Sequence, residues 1–383
     1  MSDVVKIAEM LAEEFRERAA QIDAEGRFPT ENYDRMREVG YLKALVPEEL
    51  GGLGATIDEM ARAQQALARG CASTALAVNM HQFQIGAAAD AYRAGGPTGP
   101  ALKKVAEDGI VLGSTSAEFI VAGEWTTPTT AELDGDDYIV NGRKFFCSQA
   151  DGMDVVRVNA TEVGSGDLLV IAFPVTTPGV QIIPTWDTTG MRGTSSHDVV
   201  LENVRVPAAG AVRLPGNVPI HTPQAAGVIR WFLLLMPSVY LGLAEEARSL
   251  ALSKLGGGRN SAFRAAELTD VMIGEMEAAW MTALSVRDAT LAKLTEPGGE
   301  PGQIVAAGSL CKQLVTSAAQ TVVDKAVALS GGSAFFRRSP MERIARDMQA
   351  AKFHPPAAPV SFQIIGAETR AIVESVKEKT LVG

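Results

Sequence analysis

An α+β protein in three blocks is what the sequence of 383 residues predicts: an N-terminal helical domain over 1–110, a middle β-domain over 111–216 and a C-terminal helical bundle over 217–383. Three observations carry this expectation. Apolar residues recur at helical spacing as far as Arg93, short β-rich runs broken by Gly, Asp and Pro begin near Val111, and long apolar helical patterns return after Gly216.

In the first block an amphipathic helix runs from Val4 to Ala24 and is closed by Glu25-Gly26 and Phe28-Pro29. Thr30 suits the N-cap of the next helix, which Gly40 ends. Val46 to Gly54 is a glycine-rich turn, and without a Walker lysine or a preceding strand it is no phosphate loop. Helices over Asp58–Gly70 and Ser73–Arg93 complete the block, and Ala94–Pro100 reads as a surface connection. The β block holds runs at Ile110–Gly113, Ala131–Val140, Lys144–Cys147, Val155–Asn159, Leu168–Pro174, Val180–Pro184 and Val199–Val206, the spacing of a compact, barrel-like domain. Asn141-Gly142 signals a hairpin turn.

The last block reads as a four-helix bundle, Ala225–Leu255, Ala262–Leu294, Gly302–Leu329 and Ser339–Phe353. Its helices are apolar on more than one face, as when they pack on several neighbours or across a subunit interface, so a homotetramer is expected. Pro355 and Pro356 stop the final helix and leave His354 at its exit. There an imidazole either caps the helix C-terminus or transfers protons near neutral pH.

With 46% hydrophobic and 21% charged residues, the chain buries a large core. A net charge of -10 argues against nucleic acid or an anionic membrane surface as partner. The N-terminal stretch lacks an apolar signal core, and the apolar patch Trp231–Met236 is too short to span a bilayer. Cys71, Cys147 and Cys311 are odd in number and widely spaced, which fits reduced thiols in a cytoplasm and gives no metal pattern.

Two motifs carry a family resemblance. Val46-Pro47-Glu48 followed by Gly51-Gly52-Leu53-Gly54, and the frame Gly331, Gly332, Pro340, Arg343, Arg346 and Asp347, resemble signatures of the acyl-CoA dehydrogenase superfamily. The catalytic glutamate of its dehydrogenases falls here on Pro355 and the following glycine on Pro356. The two-component (group D) flavin monooxygenases of the same superfamily place a histidine seven residues after the aspartate, and Asp347 to His354 has that spacing. The resemblance implies an acyl-CoA dehydrogenase-like fold and a flavin, FMN or FAD. It implies a monooxygenase that uses reduced flavin and dioxygen on a small organic substrate, with a separate flavin reductase as partner.

It also implies site residues. Ser148 takes the position of the hydroxyl that meets the flavin near N5, and Phe146 replaces the dehydrogenase tryptophan. Arg192, Thr194 and Ser196 match the Gly-Met-Arg-x-Thr-x-Ser run, Arg259 matches a pyrophosphate-binding arginine, and Gly331-Gly332 the break beside the cofactor. His354 is the acid or base with an ordinary pKa near ~6.5, and His81 a second pocket histidine. The chain departs from the dehydrogenases at the flavin loop, Ser116 to Gly123, at the adenylate glutamine, here Ala328, and at the alternative base position, near Phe232. Two other readings stay open: a FAD-dependent acyl-CoA dehydrogenase whose base is Glu118 or Glu368, and a catalytically silent family member.

Overall fold

Five helices open the chain: α1 (Asp3–Glu25), α2 (Thr30–Glu38), α3 (Ile57–Gly70), α4 (Ala72–Arg93) and α5 (Gly99–Asp108). These and all later elements come from a computed structural model that describes residues 3–115, 120–121, 124–125, 127–214, 218–219, 222–253, 255, 266–295 and 299–382. The apolar stripe of α1, including Leu11, Phe15 and Ile22, is fully buried, and α1 packs against α3. A capping box of Thr56 and Glu59 starts α3, each side chain bonding the other's backbone N–H. Pro29 takes the N-cap of α2, so the Thr30 hydroxyl makes no cap bond there. The expected connection at Ala94–Pro100 ends in α5, whose Pro100 sits in the first turn, where its missing N–H costs nothing.

The strands are β1 (Leu112–Ser114), β2 (Ile120–Val121), β3 (Glu124–Trp125), β4 (Thr130–Asp134), β5 (Asp137–Cys147), β6 (Val155–Glu162), β7 (Leu168–Pro174), β8 (Val180–Ile183), β9 (His197–Pro207), β10 (Val212–Leu214) and β11 (Val218–Pro219). The main sheet runs β10-β7-β6-β4-β5-β9-β8, with β1 paired to β6 in parallel, and β11-β3-β2 form a small second sheet. Asn141-Gly142 is not the hairpin turn. Asp134 pairs with Asp137, so Gly135-Asp136 turns the chain, with Gly135 at φ +64°. Asn141 and Gly142 lie inside β5 at a register shift against β9, where Asn141 Oδ1 accepts from the Asn203 N–H at 2.8 Å.

The chain divides into two compact units, Met1–Ile220 and His221–Gly383, so the helical and β blocks of the first 220 residues form one body. Within it α4 packs on β1, and the Tyr33 hydroxyl donates to Gln149 Oε1 at 2.7 Å. The second unit holds α6 (Pro223–Ser253), α7 (Ala266–Leu294), α8 (Pro301–Ser330), α9 (Pro340–Met348) and α10 (Ala358–Val382). The central helix is α8, which packs on α6, α7 and α10. The segment expected as a fourth long helix is the short α9 plus a 3-10 turn, Gln349–Phe353, and α10 is the fourth long helix instead. By length and composition α6 could cross a membrane over Ala225–Ser253, but 78% of an apolar 18-residue stretch within it is buried inside its own protein.

Candidate active site

In the first unit the chemistry gathers where β5 ends and β9 begins. Phe146, Gln149, Met191 and Ser195 all have φ between +46° and +59°, values that L-residues adopt sparingly and that mark a backbone held by its surroundings. The clamp is visible: the Gln149 N–H donates to Thr194 O at 2.7 Å and the Ala150 N–H to Ser195 O at 3.1 Å. Between these strained residues lies a row of three hydroxyls. Ser148 Oγ is 2.8 Å from Ser196 Oγ, Ser196 Oγ is 2.8 Å from Thr194 Oγ1, and Thr194 donates to Met191 O at 3.0 Å. Thr194 is fully buried and Ser148 half-buried, so Ser148 is the member of the row that can meet a ligand.

Phe146 stands beside this row, 64% exposed, with its ring edge-on to Trp186 at 6.1 Å. Trp186 was not legible as a site residue. Its indole N–H donates to Met191 O at 3.0 Å, which ties the aromatic pair to the same carbonyl that ends the hydroxyl row. His197, another residue the sequence did not flag, accepts the Trp186 backbone N–H through Nδ1 at 3.1 Å.

Two expected residues do other work. Arg192 donates to the Asp23 carbonyl at 2.7 Å and the Thr188 carbonyl at 2.9 Å. It therefore adds a second donor to a carbonyl in the last turn of α1 that otherwise has only the Gly26 N–H at 3.3 Å. His81 is no pocket residue. It is fully buried in α4, with Nε2 2.7 Å from Leu42 O and Nδ1 accepting the Leu112 N–H at 3.1 Å. Both ring nitrogens are spent on backbone, and burial pushes its pKa down to about 4, so it is a neutral structural imidazole.

In the second unit His354 follows the 3-10 turn in extended conformation, φ -71° and ψ 138°, as the proline after it requires. Its Nε2 lies 2.6 Å from the Tyr240 hydroxyl of α6. Burial holds the Tyr240 pKa well above its ordinary value, with Asp347 adding to the effect, so the phenol keeps its proton and has it available for Nε2. With the phenol as donor, the His354 hydrogen sits on Nδ1. Burial, and then the charge of Lys312, pull His354 down to about 4. The expected near-neutral titration is replaced by an imidazole that stays neutral at pH 7 and, in the tautomer that accepts from Tyr240, has Nδ1–H to donate.

The turn that carries His354 is fixed from behind. Lys312 of α8, 2% exposed, donates to Pro356 O at 3.0 Å, and Gln313 and Ser361 converge on the same carbonyl at 3.3 and 3.2 Å. Gly331 ends α8 at φ +62°, ψ -158°, a conformation essentially reserved for glycine. Gly332 has open space where a side chain would stand. Arg259 lies outside the described residues, as do Glu118 and the adjoining 116–119 and 122–123. Glu368 packs against Gly302 so closely that a Cβ there would collide with its carboxylate. Gly302 and Lys312 are ten residues apart on α8, about 15 Å along the axis, so Glu368 is remote from the His354 turn. Among the described residues no cluster of His, Cys, Asp and Glu is arranged to hold a metal.

Three domain models of one family match in chain order: acyl-CoA dehydrogenase N-terminal domain on residues 5–96, middle domain on 121–204 and C-terminal domain on 234–358. YdbM of Bacillus subtilis (strain 168), provisionally named an acyl-CoA dehydrogenase, is 30% identical over 365 residues, 94% of each chain. The chain belongs to the acyl-CoA dehydrogenase family. This family member is also 31% identical over 350 residues to the amino sugar nitrososynthase DnmZ of Streptomyces peucetius, covering 87% of its own length and 84% of DnmZ. The structure of KijD3 in complex with FMN and a dTDP-linked 3-amino sugar has the same fold, with a TM-score of 0.87 at 23% identity over 97% of this chain and 95% of that one. The protein is a flavin-dependent oxidoreductase on the acyl-CoA dehydrogenase fold.

Proposed function

We propose that this protein is a monooxygenase that binds reduced flavin in its first unit through Phe146 and Ser148 and oxidises the nitrogen of a small amine. The residues present fit a flavin. Ser148 presents a half-buried hydroxyl and Phe146 an exposed aromatic ring, both on a backbone pinned by the Thr194 and Ser195 carbonyls. When bound, reduced flavin supplies the electrons that activate dioxygen. The observation that carries the reading is the Tyr240–His354 pair, 2.6 Å apart, at the turn where the family's dehydrogenases keep a carboxylate base. Abstracting an α-proton from a thioester needs a base within hydrogen-bond reach, and Pro355 and Pro356 offer none.

His354 instead acts through Nδ1–H, donating to an oxygen or nitrogen that becomes more basic during reaction. Tyr240 holds the ring in that tautomer, and the Lys312–Pro356 contact holds the turn. Nitrogen is the favoured target because DnmZ and the isobutylamine N-hydroxylase of Streptomyces viridifaciens, 28% identical over 335 residues, carry N-oxidising names. FMN delivered by a separate reductase, in a cytoplasmic homotetramer, completes the reading. Exposed apolar side chains on α7, α8 and α10, among them Leu268, Met281, Leu314 and Phe362, are what such an assembly would cover. A light-scattering mass of one 40.4 kDa chain would remove the assembly.

The activity itself is tested by anaerobic mixing. FAD-loaded protein is exposed to a series of acyl-CoA thioesters, and FMN-loaded protein, chemically reduced, to oxygenated buffer with and without small primary amines. Amine-dependent suppression of hydrogen peroxide release supports the oxygenase, whereas bleaching of FAD by a thioester would place the chain among the dehydrogenases.

A further inference from the structure

We infer that Thr194 and Ser196 are positioning residues that set the direction of the Ser148 hydroxyl, leaving it to accept a hydrogen bond and so to select the reduced form of a flavin. The inference rests on the cofactor placement proposed above. Each hydroxyl has a single hydrogen to give. A carbonyl can only accept, so Thr194 spends its hydrogen on Met191 O. The contact between Thr194 and Ser196 must then be donated by Ser196, and the contact between Ser196 and Ser148 by Ser148. The row therefore ends at a Ser148 oxygen whose hydrogen is used and whose lone pairs are left to accept.

Reduced flavin carries a hydrogen on N5, and oxidised flavin has a bare lone pair there. The row as it stands is matched to the first. To meet the second, all three hydroxyls must turn round, so that Thr194 donates to Ser196, Ser196 to Ser148 and Ser148 outward. Met191 O keeps the Trp186 indole N–H in that state, so the reversal orphans no carbonyl. It gives up the Thr194 bond to Met191, and one neutral hydrogen bond corresponds to a factor of a few to about ten in an equilibrium. Thr194 is 0% and Ser196 5% exposed, so water does not replace the lost contact.

The test is titration of the full-length protein with FMN, oxidised and then dithionite-reduced under anaerobic conditions, followed by flavin fluorescence or calorimetry. Thr194→Val keeps the volume but removes the anchor, freeing Ser196 to donate to Ser148. The ratio of reduced to oxidised affinity is expected to fall by a factor of a few to about ten, and Thr194→Ser to restore it. Ser148→Ala separates two kinds of failure. Unchanged affinities in Ser148→Ala overturn the cofactor placement and the inference with it. Weakened affinities there, with an unchanged ratio in folded Thr194→Val, overturn the hydroxyl row alone.

Discussion

His354→Ala is expected to lose on the order of 10²- to 10³-fold in oxygen-dependent product formation, the usual effect of deleting one preorganised donor at a site of developing charge. The flavin contacts proposed for Phe146 and Ser148 lie in the other compact unit, so reduced FMN should still bind. Tyr240→Phe leaves the imidazole in place but frees its tautomer, and a smaller loss is expected. The pH dependence gives an independent reading. Neutral His354 is the competent form, because an imidazolium cannot accept from Tyr240. With the pKa pulled down to about 4, activity should hold as pH falls through 6.5 and drop only as it nears 4. An acid limb centred near 6.5, or unchanged turnover per folded molecule in His354→Ala, would reduce the residue to a helix-end ornament.

Acidification should also destabilise the fold through His81, by about 3 kcal/mol at most between pH 6.5 and 4. The sign follows from proton counting. In the unfolded chain the imidazole titrates near its ordinary value, whereas in the native state burial holds it neutral down to about 4. The unfolded state therefore binds the extra proton across that window, and stability present above the ordinary value is lost as pH falls. His81→Gln can still donate to Leu42 O but has no proton to gain, so it starts less stable and its stability should fall less steeply. Urea unfolding at a series of pH values checks this, and parallel slopes for the two proteins would remove His81 as the cause. His354 titrates over the same range, so the double variant should be flatter still.

How much of this could be read beforehand follows from the range of each signal. Helical and strand periods are local, and the succession of helical, β and helical blocks was legible from them. Ser148 and His354, on which the proposed chemistry rests, could be singled out because short motifs carry them. Tyr240 could not, since its contact with His354 joins residues 114 apart in the chain and Tyr240 lies in a largely apolar stretch of α6. Arg192 sits in a motif shared with the flavin-lining run, but motif position does not say which way a long side chain turns, and here it turns to the end of α1. Asn141-Gly142 carries the strongest hairpin dipeptide signal, yet tertiary pairing overrides it: β5 continues through both residues against β9 and the turn falls at Gly135-Asp136. The Pro355-Pro356 pair lies just past the end of the helical stretch, whose α-helix stops at Met348 and 3-10 turn at Phe353, but nothing in the pair announces that α10 begins two residues later at Ala358.

The central claim is that this member of the family puts an oxygen atom into its substrate rather than removing hydrogen from a thioester. Isotope labelling tests it most directly. The protein, loaded with chemically reduced FMN and an amine that suppresses peroxide release, is mixed with ¹⁸O₂ in ordinary water, and the product is weighed by mass spectrometry. A hydroxylamine product carrying ¹⁸O from the gas is the predicted result. A product without the label, or one formed only from acyl-CoA thioesters under nitrogen with the flavin reduced in step, would contradict it.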